Sequence, residues 1–144
     1  MGNILELIEE IRQYGINNNV PIMSVETIET INKIISENKI HSVLEIGTAI
    51  AYSTICFASN KNIDKVVSIE RDDIREKIAI SNVEKSNLKN ITLIHDDALN
   101  TEINDKFDLV IIDAAKSQNT KFFNKYKKNL TENGIIIIDN LEFH

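Results

Sequence analysis

The sequence predicts an α/β fold built on a parallel sheet that helices cover on both faces. Two stretches share one form, Leu109-Val110-Ile111-Ile112-Asp113 and Ile135-Ile136-Ile137-Ile138-Asp139: four apolar residues closed by an aspartate. A continuous apolar, largely β-branched run with a polar end reads as a strand buried on both faces, its carboxyl end opening onto a crevice. From Ser42 onward, strand-like and helix-like segments alternate, which implies right-handed crossovers between parallel neighbours. The expected architecture is a Rossmann-like, doubly wound sheet of five strands in the order 3-2-1-4-5, preceded by N-terminal helices.

The elements follow in order. Ile4, Leu7, Ile8 and Ile11 fall on one face of an amphipathic helix, and Gly15 is expected to end it. Asn17 to Pro21 is a connector. Ser24 is the expected N-cap of a second helix that turns Ile28, Ile31, Ile34 and Ile35 inward. Ser42 to Ile46 is the first strand, Tyr52 to Ser59 a helix, Lys65 to Ile69 a strand, Asp73 to Glu84 a helix and Ile91 to Ile94 a strand. A weak helical turn leads to the strand ending at Asp113, then a helix from about Thr120 to Asn129, then the strand ending at Asp139. Residues 1–144 are expected to form one domain, with the helices in 1–40 and the sheet in 41–144.

Composition narrows the function. A chain of 144 residues can build one sizeable core. A net charge of -6 gives no overall basic field, although local patches can still meet phosphates. The N-terminus enters a charged amphipathic segment directly, with neither an apolar signal core nor a membrane-length apolar run, so a cytoplasmic protein with no membrane association is expected. Cys56 sits in an apolar setting and reads as a buried structural thiol. His41, His95 and His144 form no metal-ligand spacing. Lys121, Lys125, Lys127 and Lys128 form a basic stretch that could meet RNA phosphates, but such a stretch is more commonly the solvated face of a helix.

The ends of the strands suggest a ligand. If the strands ending at Asp113 and Asp139 are neighbours, their carboxylates converge, and Asn140 adds an amide oxygen. That hard oxygen set suits a divalent ion such as Mg²⁺. In doubly wound sheets the ligand lies outside the carboxyl ends of the strands. The first strand ends there in a small-residue turn, Gly47-Thr48-Ala49-Ile50-Ala51, and Glu70 closes the next strand, where a carboxylate can accept both hydroxyls of a ribose. The run holds a single glycine, whereas a dinucleotide needs more for its pyrophosphate. Glu45 would repel a pyrophosphate but could accept a hydrogen bond from an ammonium group. The pattern therefore points to a zwitterionic adenosine cofactor, S-adenosylmethionine.

At these residues the chain resembles the cation-dependent class I O-methyltransferases, which include catechol and caffeoyl-CoA O-methyltransferases, and most closely their bacterial tRNA 5-hydroxyuridine branch. The resemblance runs from about Val20 through Glu45 to Ser53, Ser68-Ile69-Glu70-Arg71, Asp96-Asp97-Ala98-Leu99, Ile112-Asp113-Ala114-Ala115-Lys116 and Ile138-Asp139-Asn140. It implies that Gly47, Thr48 and Ser53 line the methionine end of the cofactor. It also implies that Glu70, with Arg71 beside it, holds the ribose, that Asp97 and Ala98 flank the adenine, and that Tyr52 covers the cofactor by packing. Asp113, Asp139 and Asn140 would bind the cation, Asp113 also bordering the cofactor, and Lys116 would face the acceptor hydroxyl as a base or an oxyanion partner.

The resemblance has two departures. Ala51 stands where the family usually has glycine, which costs on the order of 1 kcal/mol if that position needs a positive φ. The family also continues beyond this sequence with two further strands, so the Ile135 to Ile138 strand is expected at an edge. An apolar edge calls for a cover, and the expectation is a fragment, a shortened product or a self-associating chain, most simply a homodimer. The expected function is cation-assisted O-methylation, with the tRNA wobble 5-hydroxyuridine as acceptor. The alternatives are a small catechol-like or caffeoyl-CoA-like phenol, and a cofactor-binding remnant that transfers nothing.

Overall fold

The computed structural model describes residues 3–140, with the side chains of Lys116 and Asn140 outside that description. Its elements are α1 (Asn3–Asn17), α2 (Val25–Glu37), β1 (Ser42–Ile46), α3 (Tyr52–Ala58), β2 (Lys65–Glu70), α4 (Asp73–Ser86), β3 (Ile91–His95), β4 (Phe107–Ala114), α5 (Asn119–Tyr126) and β5 (Leu130–Asn140). The five strands form one sheet in the order β3-β2-β1-β4-β5. All four pairings are parallel. The predicted architecture is therefore the observed one, with β1 and β4 central and the chain reversing direction across the sheet between them.

The apolar runs behave as two-sided strands. On β4, Leu109 and Ile111 face a core that also holds Ile31 and Ile35 of α2 and Ile55 of α3. Val110 and Ile112 face the opposite core with Phe122 and Tyr126 of α5. A strand buried on both faces has no solvent side and so needs no polar alternation. Among the described residues β5 pairs only with β4; Ile135, Ile136 and Ile137 are partly buried and Ile138 is 42% exposed. It is the expected edge. Among the described residues, no helix is long and apolar enough to cross a membrane.

Several element ends differ from expectation. Gly15 does not end α1, which runs on to Asn17. The glycine is instead a close-packing position, since a Cβ there would lie 3.1 Å from the Ile22 side chain. Ser24 does cap α2, its side chain accepting the Thr27 N–H at 3.1 Å. β5 begins at Leu130 rather than Ile135, because Leu130 already pairs with Phe107 and an irregularity between Phe107 and Leu109 absorbs the extra residues. The helix expected to reach Asn129 ends at Tyr126, and its last turn tightens into a 3₁₀ turn over Lys127–Asn129. Cys56 is buried as expected, and burial pushes its thiol up to about 12.

Candidate functional site

The turn between β1 and α3 organises the site. Gly47 has φ +104°, and a Cβ there would collide with the main-chain oxygen of Asp113 on β4. Only glycine fits, for both conformation and space. Ala49 at φ +50° and Ala51 at φ +71° are also left-handed, a conformation that costs an L-residue roughly 1–2 kcal/mol. The turn is held from outside. The N–H groups of Gly47 and Thr48 both donate to the Ile69 carbonyl, at 2.9 and 3.2 Å. The Asn82 amide of α4 donates to Ile50 O at 2.9 Å.

Beneath the turn lies a buried hydroxyl–carboxylate network. Glu45 is fully enclosed, and its carboxylate accepts from the hydroxyls of Ser53, Thr54 (2.5 Å) and Ser68 (2.7 Å). Ser68 is its register partner on β2 and also shares a hydrogen bond with Thr48 at 2.6 Å. Burial raises the Glu45 pKa, and the three donors oppose that shift. The proposed ammonium contact from Glu45 is thus corrected. With no exposed surface and three hydroxyls donating to it, it holds the turn from below rather than facing the cleft.

Above the turn, a cleft of about 390 Å³ opens at the carboxyl ends of β1, β2 and β4. Of the predicted residues, Gly47, Glu70, Arg71, Asp97, Ala98 and Asp113 line it. Thr48, Tyr52 and Ser53 instead line a narrow recess of about 10 Å³, which shares Gly47 and Asp113 with the cleft. Tyr52 is 4% exposed and belongs to the core as much as to the recess. Both oxygens of Glu70 accept main-chain N–H groups, Oε1 from Ala49 at 2.7 Å and Oε2 from Asp72 at 3.0 Å. Each retains a second lone-pair position for a ligand hydroxyl.

The loop after β3 makes another wall. Asp97 Oδ1 accepts the Leu99 N–H at 2.9 Å, and its carbonyl accepts those of Asn100 and Thr101, at 2.8 and 3.1 Å. Sequence reasoning did not find the residues that hold this loop from α5. The Tyr126 hydroxyl donates to Ala98 O at 2.5 Å and the Lys125 ammonium to Leu99 O at 2.7 Å. Lys128 lies 3.8 Å from Glu102. One of the four lysines of the basic stretch, Lys125, thus holds this loop, while Lys121, Lys127 and Lys128 are exposed, as a solvated helix face requires. Gln118, Phe122 and Arg75 also line the cleft and carried no sequence signal of their own.

The paired aspartates are register partners, Asp113 on β4 opposite Asp139 on β5. In a parallel pair, residues in register project to the same face. Asp113 Oδ1 is buried with no hydrogen-bond partner among the described residues. Burial, with the charges of Glu45, Asp139 and Glu70, pushes Asp113 up to about 8. Asp139 is also raised by burial. An orphaned carboxylate oxygen beside a second carboxylate fits a cation, which would cancel their repulsion. Among the described residues, no group of three or more His, Cys, Asp or Glu is placed to hold a metal. The expected third donor, the Asn140 side chain, and the Lys116 side chain lie outside the described residues.

A profile of the O-methyltransferase family matches residues 3–144. Among curated proteins, the chain is 32% identical over 123 residues to the "Probable ribosomal RNA small subunit methyltransferase A" of Methanosphaera stadtmanae, covering 77% of this chain and 41% of that protein. Among solved structures, the Staphylococcus aureus protein described as a "putative caffeoyl-CoA O-methyltransferase" matches with a TM-score of 0.86 and 37% identity, over 92% of this chain and 65% of that one. The Bacillus cereus O-methyltransferase solved with S-adenosylhomocysteine matches at 0.83 and 28%, over 94% and 66%. This chain thus spans 65% of the Staphylococcus aureus chain and 41% of the curated relative.

Proposed function

The chain belongs to the O-methyltransferase family, and on that footing we propose that it binds S-adenosylmethionine in the cleft and transfers the methyl group to a phenolic oxygen. The observation that carries this reading is the convergence of Glu70, Asp97, Ala98 and Asp113 on one cleft, at the carboxyl ends of strands where the sheet reverses its order. Glu70 accepts the ribose hydroxyls, with Arg71 at the same wall. The carboxylate of Asp97 and the N–H of Ala98 meet the base. Gly47, Thr48 and Ser53 line the methionine end, which Tyr52 covers by packing.

Asp113, Asp139 and Asn140 hold a divalent cation, supported by the unpartnered oxygen of Asp113 and its register with Asp139. Such a cation supplies Lewis-acid chemistry, lowering the pKa of an acceptor hydroxyl. Methyl transfer from sulfonium to oxygen is an in-line displacement, so the chain's main contribution is alignment. Lys116, three residues beyond Asp113 in the sequence, takes the acceptor proton or stabilises the oxyanion.

For the acceptor, a catechol-like or caffeoyl-CoA-like phenol takes precedence over a tRNA 5-hydroxyuridine. The 37% identity to the Staphylococcus aureus protein supports it. The exposed ion pair of Lys128 with Glu102 leaves less free positive charge for RNA phosphates.

Calorimetric titration with S-adenosylhomocysteine, with and without Mg²⁺, tests the cofactor. Methylation of a catechol and of bulk tRNA in parallel tests the acceptor. Binding followed by Mg²⁺-dependent labelling of the catechol is expected. A folded chain that does not bind S-adenosylhomocysteine overturns the reading, and label in tRNA alone reverses the order of acceptors.

A further inference from the structure

We propose that Tyr126 is a positioning residue for recognition of the cofactor's base, fixing the loop after β3 so that it offers the cleft one donor and one carboxylate. The inference rests on the cofactor reading above.

It follows from an account of the loop's polar groups. The N–H of Asp96 donates to Glu70 O, that of Asp97 to Asp96 Oδ1, that of Leu99 to Asp97 Oδ1, and those of Asn100 and Thr101 to Asp97 O. Among the described residues, Ala98 alone in residues 96–101 keeps an N–H with no acceptor. The carbonyls beside it are taken from α5: Ala98 O by the Tyr126 hydroxyl and Leu99 O by Lys125. One turn further on, the Asn129 amide donates to Ile103 O and Asp105 O, both at 2.8 Å. What remains for a ligand at Asp97 and Ala98, both in the cleft wall, is the Ala98 N–H and the second oxygen of Asp97.

A 6-aminopurine presents a ring-nitrogen acceptor beside an amino donor, which complements that pair. A 6-oxopurine presents the reverse, a ring N–H beside a carbonyl oxygen, and would set donor against donor and acceptor against acceptor. The discrimination depends on Ala98 keeping its orientation. Tyr126 is fully buried and bonds that residue's own carbonyl at 2.5 Å. Its hydroxyl is pushed up to about 12, mainly by burial, so it remains a donor across the working pH range.

The test titrates S-adenosylhomocysteine and its inosine counterpart, S-inosylhomocysteine, into the chain and into Tyr126→Phe, a change that keeps the packed ring and removes one hydrogen bond. The chain should prefer the adenine compound. In Tyr126→Phe its affinity should fall about five- to tenfold, the loss of one buried hydrogen bond, while that of the inosine compound changes less than about twofold. An equal fall for both compounds would mean a merely structural role and overturns the proposal, as does an unchanged adenine affinity. Lys125→Met, made at the surface, should narrow the same ratio to a smaller degree. If Tyr126→Phe does not fold, that second variant decides, and an unchanged ratio overturns the proposal. A wild-type chain that binds neither compound overturns the cofactor reading and this one with it, whereas wild-type binding with unchanged selectivity in the variants overturns this one alone.

Discussion

The main-chain oxygen of Asp113 closes over Gly47 so tightly that no side chain can stand at position 47. That contact joins the first strand's turn to the strand that carries the paired aspartates. Gly47→Ala is expected to cost on the order of 3 kcal/mol, since it adds a backbone clash to an unfavourable φ. Gly15→Ala should be nearly neutral, because the helix favours alanine by about 1 kcal/mol, which offsets the few tenths of an ångström by which the Ile22 side chain must give. Urea unfolding of both variants compares them directly. Equal losses would show that the Gly47 contact is not the determinant.

Ala51 sits at φ +71° with no exposed surface. Glycine there would relieve about 1–2 kcal/mol of backbone strain and lose about 0.8 kcal/mol of buried methyl. Ala51→Gly is therefore expected to leave stability within about 1 kcal/mol of the original, whereas Ala51→Val, β-branched in the left-handed region, should be clearly destabilised. Equal stability of the valine and glycine variants in thermal melts would contradict this.

Glu45 holds three hydroxyls at once. Its truncation to alanine leaves Ser53, Thr54 and Ser68 without their acceptor and opens a cavity, so Glu45→Ala should cost about 3 kcal/mol or more. Chemical denaturation measures it. A loss under about 1 kcal/mol would mean that the hydroxyls find other partners easily.

Asp113 supplies a pH dependence. Its folded-state pKa, pushed up to about 8, lies above its ordinary value of 3.8. The protonated form is therefore favoured in the fold, and this contribution is complete below about pH 4 and lost as the pH rises through about 8. Asp113→Asn, which cannot ionise, should melt higher than the original chain at pH 8 and gain nothing at pH 4. Each kcal/mol corresponds to roughly 2–4 °C for a chain of this size. Mg²⁺ should raise the melting temperature of the original chain at pH 8 and not that of the variant. A melting curve insensitive to both pH and Mg²⁺ would count against the cation site.

Asp139 separates the two halves of the proposed chemistry. Asp139→Ala is expected to abolish cation-dependent methyl transfer while S-adenosylhomocysteine binding stays within about twofold, because Asp139 is not among the residues that line the cleft. Loss of cofactor binding in that variant would assign Asp139 to the cofactor or to the fold instead.

The sequence by itself determined the alternation of strands and helices and the two-sided burial of the Leu109 to Ile112 run, because these follow from local periodicity; the strand order came with the doubly wound fold class, and the edge position of the Ile135 to Ile138 run with the family resemblance. The sequence also singled out the strand-end residues Gly47, Glu70 and Asp113, and the family resemblance added Asp97 and Ala98; the fold brings all five to one cleft, because the ends of parallel strands and the loops after them converge. The positive φ at Ala51 was legible as a departure from a glycine position. Tertiary structure alone decided which polar groups remain free. Glu45 looked like a ligand contact until Ser53, Thr54 and Ser68 closed on it. Gly15 looked like a helix end until Ile22 packed against it. Tyr126 and Asn82 carried no motif, yet each reaches a carbonyl far away in the chain. Hydrogen-bond satisfaction is a property of a closed three-dimensional set of donors and acceptors, so the groups left over for a ligand can be counted only after the chain has folded.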